Sequence, residues 1–171
     1  MADERAAWDS FISSYFTGSP VAVPWSGVAE TLPKCDFLFG PTPAKAEQQP
    51  KDSGAAARRP VIHIVVSGGA PSGDHRSGGR TAVDQVFALC QIRVPLTGDG
   101  IGNAEAINAE NIARLLERLI AAKQPASILA AKGVFRSRVE RAPSAGTSPG
   151  IALINLQLSW QTRTYAAEAP K

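Results

Sequence analysis

The residues whose types and spacing could support chemistry are concentrated in one glycine-rich stretch, GGAPSGDHR, which contains Ser72, Asp74 and His75. The glycines invite comparison with a phosphate-binding loop. Such a loop places a lysine and then Ser or Thr after its second glycine, whereas Asp74 and His75 follow Gly73 here. A hydrolase triad is disfavoured because its members converge from separate segments of the chain. We therefore expect no enzyme, with a small hydrolase that uses Ser72 and His75 as the enzymatic alternative.

The other histidine and the cysteines do not form a pattern for a metal or a cofactor. His63 lies in the apolar run PVIHIVVS, where a hydrogen-bonded structural role is commoner than ligation, and Cys35 and Cys90 fit no metal spacing. The sequence GDGIG departs from the dinucleotide fingerprint, and no strand–helix–strand unit surrounds it. We expect neither metal nor cofactor, and a buried thiol at Cys90 because its neighbours on a predicted strand are apolar.

Composition limits the class of protein and its partners. A chain of 171 residues with 44% hydrophobic residues predicts one domain with a real core. The net charge of +3 is too small to imply nucleic acid. Three arginines, Arg93, Arg136 and Arg138, would form a stripe if their strands were neighbours, but a solvated face is the commoner meaning and few aromatics accompany them for base stacking. A basic nucleic-acid-binding module is kept as an alternative for which we expect little DNA binding.

No feature of the sequence points to a membrane or to secretion. No run approaches the ~20 apolar residues of a membrane span. The beginning, MADERAAWDS, does not resemble a signal peptide. We expect a protein that folds in a cytosol and has no membrane partner.

The chain is organised around the stretch from Val83 to Ala122, which reads as a strand, a glycine-rich turn and an amphipathic helix. One strand face is apolar, and the other mixes Phe87 and Leu89 with amides and Arg93. The apolar face consists of Val86, Ala88, Cys90, Ile92 and Val94. Asn103 or Asn108 caps the helix, and the sequence does not choose between them. The helix repeats Ile112, Leu115, Leu116 and Leu119 at helical spacing and is stopped by Pro125.

Other segments are read from periodicity and from proline and glycine. Residues 6–16 predict a helix with an aromatic stripe that includes Trp8, Phe11 and Tyr15; the stripe packs in the domain's own core or docks on a neighbouring subunit, and core packing is the commoner fate. Residues 17–33 are expected to form an extended arm with Trp25 in a pocket, and residues 41–60 a flexible loop. A long hairpin loop over 68–81 carries Arg76 and Arg80. Strands are predicted over 34–40, at the sheet edge, and over 60–67, 128–141 and 151–164. The last strand has the cleanest alternation and is expected to pair with the strand after Val83.

This order of elements predicts an α+β fold. We expect a mainly antiparallel sheet of about four strands, with helices packed on one face and long loops. The second sheet face carries Val61, Val65, Phe87 and Leu89, which a purely solvated face would not need. We therefore expect that face to contact other copies of the protein.

Four passages resemble the tail terminator, or tail completion, proteins of tailed bacteriophages. They are the aromatic helix followed by SPVAVPW, the strand GGRTAVDQVFALCQIRVPL, the turn and helix GDGIGNAEAINAENIARLLERLI, and the terminal strand GIALINLQLSWQTR. Together they cover most of the chain, and their order carries the resemblance. The segment 41–60 is long for that family.

The resemblance implies a structural virion protein that forms a ring, usually a hexamer, on the end of the tail tube. Such a ring ends tube polymerisation and joins the tube to a neck or connector protein. It is assembled in the cytoplasm of the bacterial host, and genome DNA passes through its lumen without specific binding. A head-to-tail joining ring, one layer higher in the virion, is the alternative. The candidate residues for contacts with a neighbouring subunit or with the tube are Trp8, Phe11, Tyr15, Trp25, Arg76, Arg80, Phe87 and Leu89.

Overall fold

The computed structural model describes residues 3–40, 59–71, 81–95, 103–122, 126–142, 147–148 and 151–165. The helices are α1 (Glu4–Tyr15), α2 (Asn103–Ala121) and α3 (Ala126–Ala131). The strands are β1 (Pro20–Val21), β2 (Glu30–Thr31), β3 (Asp36–Phe39), β4 (Val61–Pro71), β5 (Thr81–Pro95), β6 (Val134–Arg141), β7 (Thr147–Ser148) and β8 (Ile151–Tyr165). The fold is α+β, as predicted.

The main sheet is built around β5 and β8, which pair antiparallel over their whole length, from Thr81 opposite Tyr165 to Pro95 opposite Ile151. This confirms the pairing expected from their alternating sequences. The sheet order is β3-β4-β5-β8-β6, with β7 also pairing with β8. The described part of the sheet therefore has more strands than the four expected.

One strand pair of the sheet is parallel. β3 runs parallel to β4, whereas the β4–β5, β5–β8 and β6–β8 pairs are antiparallel. A parallel pair requires a crossover connection of about a dozen residues or more, and residues 40–60 are long enough to provide it. The predicted edge strand over 34–40 is confirmed as β3, at the edge of the sheet.

The apolar face of the sheet forms the core beneath the helices. The predicted apolar positions of β5 are buried, as are alternate residues of β8, and α2 packs on both strands. The buried apolar face of α2 includes Ile112, Leu116 and Leu119. Helix α2 therefore covers this face of the sheet, as predicted. Because α2 begins at Asn103, Asn108 lies inside the helix and is not its cap.

Two predicted boundaries are wrong. β4 continues to Pro71, so Gly68–Pro71 belongs to a strand and not to the hairpin loop. The register of the β4–β5 pair shifts between Val66 and Gly68, which marks a β-bulge. Glycine in a strand often marks such a bulge, and the pairing continues beyond it to Pro71. Ile128 lies in helix α3, not in a strand, and the helix gives way to β6 at Gly133, whose φ of 86° suits a helix C-terminus.

Residues 17–33 are not an extended arm. β1 and β2 pair antiparallel, with Val21 opposite Glu30, so the segment folds back on itself. Val23 and Leu32 are buried in the core, which explains why the segment stays close to the domain. The prolines forbid a helix here but permit this short pairing. Within the predicted loop 41–60, residues 41–58 lie outside the described residues.

Candidate interaction surface

The described helices all lie on one side of the main sheet. Trp8 of α1 meets Trp160 of β8 edge-on with ring centroids 5.3 Å apart, α2 packs on β5, β6 and β8, and α3 packs on α1 and β6. The opposite sheet face has no described helix on it. We call it the open face; its central residues are Leu38, His63, Val65, Gly68, Phe87, Leu89, Gln91, Asn155, Gln157 and Ser159.

Phe87 is the most exposed apolar residue of the open face. It is 47% exposed, which is unusual for a phenylalanine in the middle of a central strand. Its neighbours across the sheet are Gly68 on β4 and Ser159 on β8, both too small to cover the ring. A Cβ atom added to Gly68 would meet nothing within 4 Å. Phe87 therefore stands beside an open notch.

The strand around Phe87 is fixed by the bulge in β4. The Ser67 hydroxyl donates a hydrogen bond of 3.1 Å to the carbonyl oxygen of Phe87. This bond ties the bulged residue to the partner strand and supports the Phe87 backbone. The aromatic side chain thus stands on a strand that is hydrogen-bonded on both sides, not on a loop.

Further apolar side chains continue the surface on either side of Phe87. Val65 and Leu89 lie opposite each other and are half-buried. Leu38 on β3, opposite His63, is 38% exposed. The described residues therefore leave apolar surface uncovered on the open face around Phe87, as the sequence predicted. Val61, which was expected to belong to that surface, is instead buried at 5% exposure.

A polar row crosses the open face on three adjacent strands. His63, Gln91 and Asn155 lie opposite one another on β4, β5 and β8. Arg93 donates a hydrogen bond of 2.6 Å to the Gln91 side-chain oxygen. His63 is only 2% exposed; its burial, and secondarily the nearby Arg93, lowers its pKa. The structure thus favours a neutral, structural His63.

Two atoms of this row are buried without a hydrogen-bond partner among the described residues. They are His63 Nδ1 and Asn155 Oδ1. Each is enclosed by the chain itself, so neither can be reached directly from outside.

The aromatic stripe of α1 is split between core and surface. Trp8 and Phe11 have no exposed surface, and their rings meet edge-on with centroids 5.7 Å apart. This favours the core interpretation and removes both residues from the candidate interface, because neither can contact a neighbour. Tyr15 is half-buried beside Phe11, with a centroid distance of 5.6 Å, and burial raises the pKa of its hydroxyl.

Trp25 is held within the subunit by two different contacts. Its indole N–H lies 3.2 Å from each carboxylate oxygen of Glu30, and the guanidinium carbon of Arg118 lies 4.1 Å from its ring centroid. The pocket expected for Trp25 is therefore formed by the β1–β2 segment and the outer face of α2. The ring is half-buried, so part of it stays at the surface.

The predicted arginine sites do not form one cluster. Arg76 and Arg80, together with Ser72, Asp74 and His75, lie outside the described residues. Arg93 is opposite Leu153 and Arg138 is opposite Ser159, so the two rows are separated by six residues of β8, roughly 20 Å. The arginine stripe considered from the sequence is therefore not formed.

An ion-pair cluster that the sequence analysis missed ties β6 to α2. Arg141 Nη1 lies 2.8 Å from Glu110 Oε2, and Arg141 also bonds Glu117 through two nitrogens. Glu110 in turn pairs with Arg114 one helical turn away at 2.9 Å. Only the Glu110–Arg114 spacing could have been read from sequence, since Arg141 is 31 residues from Glu110.

No group of three or more His, Cys, Asp or Glu residues suited to a metal ion occurs within the described ranges. Cys90 is fully buried and Cys35 half-buried, and burial raises the pKa of each thiol to about 12. The buried thiol predicted for Cys90 is confirmed. Among the described helices, none is both long and apolar enough to cross a membrane.

Comparison with protein-family models and with curated proteins found no match to this chain.

Proposed function

We propose that this chain is a structural virion protein, the tail terminator of a tailed bacteriophage. Copies of it, six in the expected ring, cap the tail tube, end its polymerisation and offer a surface to a neck or connector protein. The protein acts by binding and not by catalysis. Genome DNA passes through the ring lumen without sequence-specific contacts.

The exposed Phe87 on the open face is the observation that carries this proposal. The centre of a protein–protein contact is enriched in aromatic residues, which lie there among uncharged neighbours because Lys, Glu and Asp are depleted. Phe87 is surrounded in this way by Leu89, Gln157 and Ser159. The ring stands on a strand that is paired on both sides, and not on a loop. A surface of this kind favours an assembling protein.

The order of elements also supports the proposal. The passages that resemble tail terminators correspond to α1 with the β1–β2 segment, to β5, to α2 and to β8. The passages cover all of β5, and all but the last one or two residues of α2 and β8. They also assemble around a single hydrophobic core that includes residues from all of them.

A complementation experiment tests the proposed function. In a phage whose copy of this gene is deleted, we expect tails of uncontrolled length that do not join heads, visible by negative-stain electron microscopy. Supplying the wild-type chain restores tails of one length. Normal tails and normal joining in the deletion would contradict the proposal, and normal tails that fail only to join heads would favour the joining-ring alternative.

A further inference from the structure

The outermost strands of the main sheet, β3 and β6, have no described strand on their outer sides. Asp36 N–H donates to the Pro60 carbonyl at 2.9 Å, and Gly40 N–H donates to the Ile64 carbonyl at 3.1 Å, so these amides point toward β4. Strand alternation then directs the amides of Phe37 and Phe39 toward the outer edge. Unpaired strand edges are templates for pairing with another chain.

The two edge strands, β3 and β6, run in opposite directions, which suits antiparallel pairing between copies. β3 runs parallel to β4, and each following step in the sheet, to β5, to β8 and to β6, reverses the direction. β6 is therefore antiparallel to β3. In a ring, every copy keeps the same orientation relative to the axis, so β6 of one copy would meet β3 of the next as an antiparallel pair, which is the more stable geometry.

Each edge has an exposed charged residue that could pair with one of opposite sign on the other edge. Arg136 and Arg138 on β6 are exposed and have no ion pair within the described ranges. Asp36 on β3 has a side chain that is 48% exposed, and its one described ion pair, with Arg59, is long at 3.9 Å. Both edges also carry a charge of the other sign, with Lys34 exposed beside β3 and Glu140 exposed on β6. Head-to-tail contact therefore offers one particular favourable pair, Asp36 with Arg138, whereas contact between two β6 edges would bring arginines together.

We propose that β6 of one copy pairs antiparallel with β3 of the next, so that the sheets join edge to edge around the ring. This inference rests on the proposed ring function and assigns the surface that closes the ring. The contact is heterologous, as ring closure requires, because two different patches of the same chain meet. It leaves the open face, with Phe87, available to the tail tube protein.

Charge reversal tests the pairing. We compare Asp36→Lys, Arg138→Glu and their equimolar mixture. Arg5→Glu on α1, away from both edges, is a control with the same charge change as Arg138→Glu. Each edge variant alone should weaken ring assembly on the order of tenfold or more, since like charges then face each other. In the mixture, alternating copies bring Lys to Glu and Asp36 to Arg138, so assembly should return. Light scattering of the purified chain and incorporation into purified tails provide the readouts.

The outcomes separate this inference from the proposed function. Rescue in the mixture supports edge pairing, and a folding defect cannot produce it. Rings that form equally well from the wild type and from each single variant overturn the edge pairing and leave the ring intact. A mixture that stays unassembled although both variants are folded by circular dichroism also overturns it. A wild-type chain that is monomeric in solution and absent from tails ends the proposed function itself.

Discussion

Phe87 lies directly opposite Gly68 across the β4–β5 pair, and the missing side chain of Gly68 leaves a notch beside an aromatic ring that is 47% exposed. A bulge in β4 creates this arrangement, because it brings a glycine into register with Phe87. The most prominent apolar group of the open face therefore follows from a local irregularity in the neighbouring strand.

Replacing Phe87 should separate assembly from folding. Phe87→Ser removes surface that is already half in water, so we expect a loss of about 1 kcal/mol or less in the free energy of unfolding. The same change at the fully buried Phe11 should cost about 3–5 kcal/mol. Urea denaturation measures both. Phe87→Ser should nevertheless abolish tail completion; normal tails from this variant would show that the open face is not a contact surface.

Stability should decline as the pH falls because of His63. Burial, and then Arg93, lowers the pKa of His63 from the usual 6.5, so the unfolded chain binds a proton more readily than the folded chain. The contribution of neutral His63 to the free energy of unfolding is complete above the pKa that His63 has in the unfolded chain. It is lost as the pH falls toward the lower pKa that His63 has in the folded chain. We expect the free energy of unfolding to fall between about pH 7 and pH 5. His63→Gln should flatten this dependence, and an unchanged slope would mean that other groups cause it.

Arg141 should stabilise the packing of α2 on β6 by a modest amount. The hydrogen bond from Arg141, and then the one from Arg114, lowers the pKa of Glu110. The stabilisation that ionised Glu110 provides is therefore present above the usual carboxyl pKa of 4.5 and is lost as the pH falls below that value. Because the side chains are partly exposed, we expect Arg141→Met to cost about 0.5–1 kcal/mol at pH 7 and less in high salt. Arg5→Met serves as the control. A loss that persists at pH 3 would point to packing instead.

Arg136 occupies a backbone conformation that favours glycine. Its φ is +50°, it is the one non-glycine residue with positive φ among the described residues, and it lies where the β6–β8 register shifts. Arg136→Gly should raise the free energy of unfolding by about 0.5–1 kcal/mol, because the strain is relieved at some cost in chain entropy. Ser137→Gly, at the next residue, should lower it by a similar amount. Thermal unfolding of the Arg136→Gly and Ser137→Gly variants measures both changes. Equal destabilisation by the two variants would show that the backbone at Arg136 is not strained.

The parts of the fold that were predictable are those governed by local periodicity. Alternation along β5 and β8 identified both strands, their buried faces and their pairing, because one face of each is continuously apolar. Helical spacing in α2 identified the face that packs on the sheet. The exposed face of β5 was also visible in sequence, as a phenylalanine and a leucine among amides.

The features that were missed depend on contacts between distant residues. The bulge opposite Phe87 depends on how β4 meets β5, and the parallel pairing of β3 depends on the path of the chain between the strands. Trp8 and Phe11 could have faced a neighbour or the core, since an aromatic stripe has the same spacing in both cases. Only the position of Trp160 beneath Trp8 decides between them.

The proposal that this chain caps a tail tube is tested most directly by cryo-electron microscopy of tail ends from a phage that encodes it. We expect a closed collar of identical copies at the end of the tube, with Phe87 covered by another protein molecule. A tail end without this chain, or a bound chain whose Phe87 faces solvent in every copy, would contradict it.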